Sequence, residues 1–316
     1  MNNEITFHIQ SAPFWDWRVA LDLFLGGAGV GAFLFAVLID EWFKGKYQRI
    51  CRTAAWLSPF LVGAGLSLVL LKMGRPLHLF LTYTNFNPTA PLWWGGIFQP
   101  LMVVGGTIYA FMWVNRQQPD PVRKWVGRLL SPLALVVGGY HGMLLSLMVA
   151  RPIWNTGPTV LAALLGFAST GIAVVMLVHL FRMKRGGRLA DENHVAAFLD
   201  DMRVVRNSLM AVLTLQLGTA FLWWQSLKYG NLQDQQALLA ANESYGFMAW
   251  WLGMGLGVLL PLGLGAITVL RGETRDRRLQ ITMIGLTSVL ILAGGVFFRF
   301  ALVLGGQSAL PVAIGF

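Results

Sequence analysis

Eight apolar stretches alternate with polar connections along the chain, over 19–39, 54–73, 92–114, 129–150, 159–182, 205–227, 246–270 and 280–304. About 20 residues at 1.5 Å each cross the ~30 Å of a bilayer's hydrocarbon core. Backbone groups in lipid must be satisfied within their own segment, so each stretch predicts a membrane-spanning helix. Glycines are dense inside them, as in LFLGGAGVGAF (23–33), where Gly27 and Gly31 form a small-xxx-small pair that lets helices approach closely. No strand precedes those glycines, which excludes a dinucleotide-binding loop. The expected fold is all-α: a polytopic membrane protein of eight transmembrane helices, grouped as two four-helix bundles. It forms a single integral membrane domain over 1–316. The longest connections, 183–204 and 228–245, are too short for a soluble domain, and the first has amphipathic character.

Composition agrees with that class. The chain is 56% hydrophobic and 12% charged, with a mean hydropathy of +0.60, leaving too little polar surface for a soluble protein of this length. Charge then sets orientation. Of 24 Lys and Arg residues, 18 lie in the connections between spans 1–2, 3–4, 5–6 and 7–8, among them Arg116, Arg123, Arg188 and Arg275. Arg18, Lys72, Arg75, Arg151 and Lys228 lie on the other side. The asymmetry puts those four connections inside and both termini outside. The net charge of +10 is therefore topological, and no nucleic-acid partner is expected. Residues 1–18 carry no basic leader and no cleavage pattern, so the first span is expected to be retained. Cys51, the only cysteine, falls in an inner connection, so this chain forms no internal disulfide and holds no iron–sulfur cluster by itself.

Polar groups inside the spans narrow the chemistry. Asp22 and Arg299 stand at similar depth near the outer surface, which makes Asp22 the expected counter-ion for Arg299. The alternative is that each snorkels separately to the interface. Tyr140 and His141 fall in the outer half of span 4. A haem would need two imidazoles at one depth. The other span histidine, His179, lies roughly 15 Å deeper, and no c-type attachment motif occurs, so neither haem nor a metal site is expected in this chain. His141 remains open to two readings: a structural histidine bonding a neighbouring helix, or part of a polar site facing outward.

Four segments carry a family resemblance. FWDWRVALDLFLGGAGVGAFLFA (14–36) leads into the first span. FNPTAPLWWGG (86–96) resembles a Pro-Thr-Ser-Pro-Trp-Trp-Gly outer loop. GGYHGMLLSLMVARPIWN (138–155) is similar to a Tyr-x-Gly-x-x-Leu…Arg-Pro-Leu-Trp-Asn segment, and RFALVLGGQ (299–307) to an Arg…Ala-Gly-Gln ending. In this order, over nearly the whole chain, they resemble the membrane subunits of polysulfide reductase and the related NrfD-type proteins.

The resemblance implies a quinone-binding anchor of a respiratory oxidoreductase in the bacterial inner membrane. It would exchange electrons between menaquinone or ubiquinone and an iron–sulfur subunit with several clusters on the periplasmic side. A molybdenum- or tungsten-type catalytic subunit with a molybdopterin-type cofactor would lie beyond. Membrane lipid is the remaining partner. Tyr140 matches a family tyrosine at the quinone. Asp22 stands where polysulfide reductase has a histidine, and Val19 where it has an asparagine, so His141 is a candidate for the missing imidazole. Asp22, Tyr140 and His141 are thus the catalytic candidates, and the same three with Arg299 the quinone-binding ones. Trp93, Trp94, Arg151 and Trp154, after spans 2 and 4, are candidates for docking the iron–sulfur subunit. Two other readings stand beside this one. One is a proton- or ion-translocating subunit using Asp40, Glu41, His179, Ser67, Thr214, Gln216 and a backbone gap at Pro261. The other is a structural anchor without its own quinone site.

Overall fold

The computed structural model describes residues 15–72, 79–87, 89–114, 121–186, 191–271 and 276–308. The N-terminal segment 1–14, Arg75, Arg116, Arg188, Arg275 and the C-terminal end beyond Ser308, all used in orienting the chain, lie outside the described residues.

Every regular element among the described residues is helical. The first half comprises α1 (Trp17–Trp42), α2 (Gln48–Lys72), a short α3 (Leu79–Thr84), α4 (Pro91–Phe111) and α5 (Pro121–Ser146). The second comprises α6 (Thr159–Arg185), α7 (Glu192–Lys228), α8 (Leu232–Gly246), a π-helical segment (Phe247–Leu259), α9 (Leu260–Arg271) and α10 (Arg277–Gly305). Seven of these helical stretches are long and apolar enough to cross a membrane, with 232–270 counted as one. The eighth expected span is α4, 21 residues whose Trp, Pro and Gln lower its hydropathy. Helices α1, α2, α4 and α5 pack as one bundle, and α6, α7, the π segment with α9, and α10 as another.

Helix α1 is the hinge between the bundles, packing on α2, α5, α6 and α10. Its glycines explain how. A Cβ on Gly27 would overlap the Phe167 ring, and one on Gly31 would overlap the Phe167 carbonyl. On the other side, a Cβ on Gly171 would come 2.7 Å from Gly31 Cα, so α1 and α6 cross backbone to backbone. The small-xxx-small pair therefore does what its spacing predicts.

Helices α7 and α8 extend further than expected. The amphipathic connector is continuous with α7, which runs 37 residues from the Asp191 cap. Residues 232–246 form α8, opened by an Asn231–Asp234 capping box. The span then widens into 13 residues of π-helix just before Pro261. Gly257 and Gly294 meet there: a Cβ on Gly257 would lie 2.8 Å from Gly294 Cα.

The Arg-rich end carries the larger corrections. Arg123 is not in a solvated connection. It sits in the first turn of α5, fully buried, with Nη2 donating to Asp40 Oδ1 and Oδ2 at 3.2 and 3.0 Å. Its guanidinium lies 3.7 Å from the centroid of Trp113. Beside it Arg128 donates to both oxygens of Glu41, at 3.0 and 2.7 Å. Cys51 is likewise inside, buried in the first turn of α2.

At the opposite end the two ends of the described chain meet. Gln307 accepts from Trp15 N at 2.9 Å and donates to Trp15 O at 2.9 Å. Trp15 stacks on Trp154, rings 5.1 Å apart, and Trp154 Nε1 donates to Leu302 O at 2.7 Å. Both ends of the bundle pair thus lie on one face, as an even number of crossings requires.

Candidate functional site

A buried polar cluster forms where α1, α4 and α5 meet. His141 of α5 is 1% exposed. Its Nδ1 lies 2.9 Å from Val137 O, one turn back on the same helix. A carbonyl only accepts, so Nδ1 carries the ring proton and Nε2 keeps its lone pair. Gln99 of α4 donates to that lone pair through Nε2 at 2.8 Å. Asp22 of α1 brings Oδ2 to 3.7 Å from the same nitrogen, too far for a hydrogen bond but close enough to stabilise an imidazolium. Asp22 Oδ1 is buried and has no hydrogen-bond donor among the described residues. Room for this carboxylate comes from Gly65 of α2, where a Cβ would stand 2.8 Å from Oδ1.

Arg299 is elsewhere. It is 5% exposed, and Nη1 donates to Gly295 O at 3.0 Å, one turn back on α10. Its Nε is buried without an acceptor among the described residues. Its Cζ sits 5.2 Å from the Phe167 ring centroid and 5.7 Å from that of Phe24. The expected Asp22–Arg299 ion pair is absent among the described residues: the carboxylate faces His141 instead, at 3.7 Å. Equal depth placed the two charges together, but azimuth separates them. Arg299 meets α1 at Phe24, which lies about 200° round the helix from Asp22.

His141 and Arg299 nevertheless share a cavity. Both line an apolar crevice of about 650 Å³, counted out to its open mouth, between α1, α5, α6, α7, the π segment and α10. Phe167 is between them, its ring 5.7 Å from that of His141. Gln216 of α7 also lines the crevice and has a buried Oε1 with no donor among the described residues. Tyr140 does not line it. Its ring fits against Gly95 of α4 and lies 5.6 Å from the His141 ring, on the bundle's other side. The sequence-derived site is therefore split: Asp22 and Tyr140 flank His141 within the first bundle, while Arg299 faces His141 across the crevice.

Gln99 escaped the sequence reading, which weighed charged groups inside spans and passed over an amide. A glutamine in the apolar run IFQPLM was the available signal. Among the described residues no three His, Cys, Asp or Glu side chains gather to hold a metal ion.

The model of the family described as "Polysulphide reductase, NrfD" matches residues 4–311. The chain belongs to the NrfD family. A polysulfide reductase polypeptide of Wolinella succinogenes is 26% identical to this NrfD protein over 317 residues, 93% of this sequence and 94% of that one. An NrfD homolog of Haemophilus influenzae is 25% identical, over 96% and 97% of the two sequences. A selenate reductase polypeptide of Mesobacillus selenatarsenatis is 21% identical, over 94% and 74%.

The four candidate docking residues of the NrfD protein divide as well. Trp94 is 39% exposed and belongs to an aromatic series with Phe86, Trp93 and Phe98 at the start of α4. Arg151 is half-buried, with Nη1 donating to Gln307 O at 3.3 Å. Trp154 is 2% exposed and is held by Trp15 and Leu302. It offers no face to a partner, and its role is to join the first and last helices.

Proposed function

We propose that this NrfD protein is the quinone-reactive membrane subunit of a respiratory oxidoreductase. It exchanges electrons between the menaquinone or ubiquinone pool and an iron–sulfur subunit docked at the Trp94 end, on the periplasmic side of the bacterial inner membrane. A molybdenum- or tungsten-type partner carries the terminal chemistry. The named relatives, components of polysulfide and selenate reductases, support an anchor role in such a complex.

The observation that carries the reading is His141: a buried imidazole, backed by Asp22 and Gln99, on the wall of an apolar crevice that also holds Arg299. Quinol oxidation releases two electrons and two protons, so the site needs a proton acceptor beside the ring oxygens. His141 Nε2 is that acceptor once Gln99 turns away, and Asp22 stabilises the resulting imidazolium. Arg299 supplies positive potential to developing negative charge on a ring oxygen. Tyr140 flanks the cluster by packing on Gly95 of α4, its ring 5.6 Å from that of His141. The apolar crevice walls accept an isoprenoid tail.

The test compares quinol-dependent turnover with dye-dependent turnover of the partner in the same membranes. His141→Leu and Asp22→Asn should each lower the quinol rate by about 10²-fold or more, the scale of losing a general base, while the dye rate and assembly persist. Tyr140→Phe should have a smaller effect. Wild-type quinol rates in both His141→Leu and Asp22→Asn would show a structural anchor instead. Docking is checked separately. A photo-crosslinker at Trp94 should capture the iron–sulfur subunit, whereas one at Trp125, 66% exposed near the Arg-rich end, should not.

A further inference from the structure

The crevice beside His141 has a second polar end, made by Gln216 of α7 and Arg299 of α10. We infer, on the quinone reading above, that Gln216 binds the quinol hydroxyl that His141 does not, so that the site is built for the reduced form.

The polar groups of the wall lead there when each is followed to its partner. Trp223 Nε1 donates to Ile153 O at 3.2 Å, and the Thr159 hydroxyl bonds that of Thr156 at 2.7 Å. His141 is held by Val137 O and Gln99. Arg299 Nη1 donates to Gly295 O. Two side-chain atoms of the wall remain unmatched among the described residues: Gln216 Oε1 has no donor, and Arg299 Nε has no acceptor. Polar atoms in so dry a place are costly to leave unpaired, so each is suited to a ligand group.

Gln216 and Arg299 also line a small adjoining cavity of about 210 Å³, counted out to its mouth. Ser169 and Thr170 line it too, but both hydroxyls donate to Gly166 O, at 3.1 and 2.8 Å, so neither has a proton for Gln216. The remaining wall near them is Gly253 and Gly257 of the π segment and Gly294 and Gly295 of α10, which bring backbone and no side-chain donor. The unmatched acceptor and the unmatched donor thus border the same space.

Chemistry then selects the ligand group. A ring hydroxyl serves both atoms at once: its O–H donates to Gln216 Oε1, and its oxygen accepts from Arg299 Nε. A quinone carbonyl only accepts, so it satisfies Arg299 and leaves Gln216 unmatched. The terminal torsion of a glutamine is broad, so the amide turns readily toward a donor that enters. His141 Nε2, an acceptor as well, takes the other hydroxyl. Two acceptors in one crevice match the two donors of a p-quinol. The site therefore holds the quinol more tightly than the quinone, and the oxidised product is released.

The experiment uses membranes holding equal amounts of the assembled complex. The probes are duroquinol, a symmetric p-quinol, and its monomethyl ether as a competitive inhibitor. Symmetry lets the ether keep its free hydroxyl on His141 and turn the methoxy group to Gln216. Gln216→Met, close in volume but without an amide, should raise the KM for duroquinol about tenfold, the scale of one hydrogen bond, with kcat changed much less. The inhibition constant of the ether should hardly move, because the ether has no proton to give Gln216. If the methionine variant does not assemble, Gln216→Leu supplies the same comparison. Equal weakening of quinol and ether would reveal a packing role and overturn the contact. So would an unchanged KM, the result of a resident water bridging Gln216 and Arg299. His141→Leu, run alongside, separates this contact from the reading beneath it. An impaired His141→Leu with an unchanged KM in Gln216→Met overturns the Gln216 contact alone. Wild-type kinetics in both variants overturn it together with the quinone site.

Discussion

Arg123→Leu should destabilise the protein by about 3–5 kcal/mol, the usual cost of stranding one member of a buried ion pair. Asp40 is 2% exposed, and the guanidinium of Arg123 reaches both its oxygens. Without it, an ionised carboxylate would remain in a wall made by α1 and α5, against Trp113, where neither water nor lipid headgroup reaches it. Asp40→Leu should be about as harmful, since it strands the cation instead. The double variant should cost clearly less than the two single losses added, because no unpaired charge remains. Thermal unfolding of detergent-solubilised protein, followed by size-exclusion chromatography, measures all three. Strictly additive losses would show that the pair is not coupled. Arg128→Leu is the contrast. Its partner Glu41 is partly exposed and Arg128 itself is 62% exposed, so water screens the pair and the change should cost far less than Arg123→Leu.

Gly31→Leu should abolish assembly outright. The new side chain would run into the main chain of α6 at Phe167 and Ala168, and backbone cannot swing aside as a side chain can. Overpacking a core typically costs about 1–3 kcal/mol where neighbours can yield, and more where they cannot. Helix α1 joins both bundles, so moving it off α6 also pulls His141 and Arg299 away from their shared crevice. Gly171→Leu should fail in the same way from the other side. Gly139→Ala is the control. A Cβ there meets nothing within 4 Å, so that variant should assemble at wild-type levels. Complex yield from equal amounts of membrane distinguishes these outcomes, and normal yield of Gly31→Leu would disprove the backbone crossing.

Span positions were legible in the sequence because hydrophobic length and helical rise are one-dimensional. Each expected stretch overlaps a described helix, with differences confined to ends such as the α7 extension into 192–204. What was not legible is rotation about each helix axis. Asp22 and Arg299 were joined because they share a depth, yet the face of α1 that meets α10 carries Phe24, and the face that carries Asp22 meets α2 and α5. Arg123 was misplaced because PVRKWVGR reads as a loop by its charge, and only the packing of Asp40 and Trp113 shows that its charge is inside. Gln99 was missed because a neutral amide barely disturbs hydropathy, although in a dry interior its partner matters as much as that of a charged group.

The contact between Trp15 and Gln307 has a consequence for how the protein is made. These residues are 292 positions apart, so the first is synthesised long before the second. Helix α1 leaves the ribosome well before α10, but its Trp15 end stays open until α10 has entered the bilayer and its final turn has folded over it. Trp154, emerging midway, waits for Leu302 in the same fashion. Insertion of seven spans therefore yields a precursor whose first helix is still unlatched, and a membrane protease that samples loose helix ends would recognise it as unfinished. A nascent polypeptide stopped at residue 300 should accordingly be degraded quickly in pulse-chase labelling, whereas one carried through Ser308 should persist.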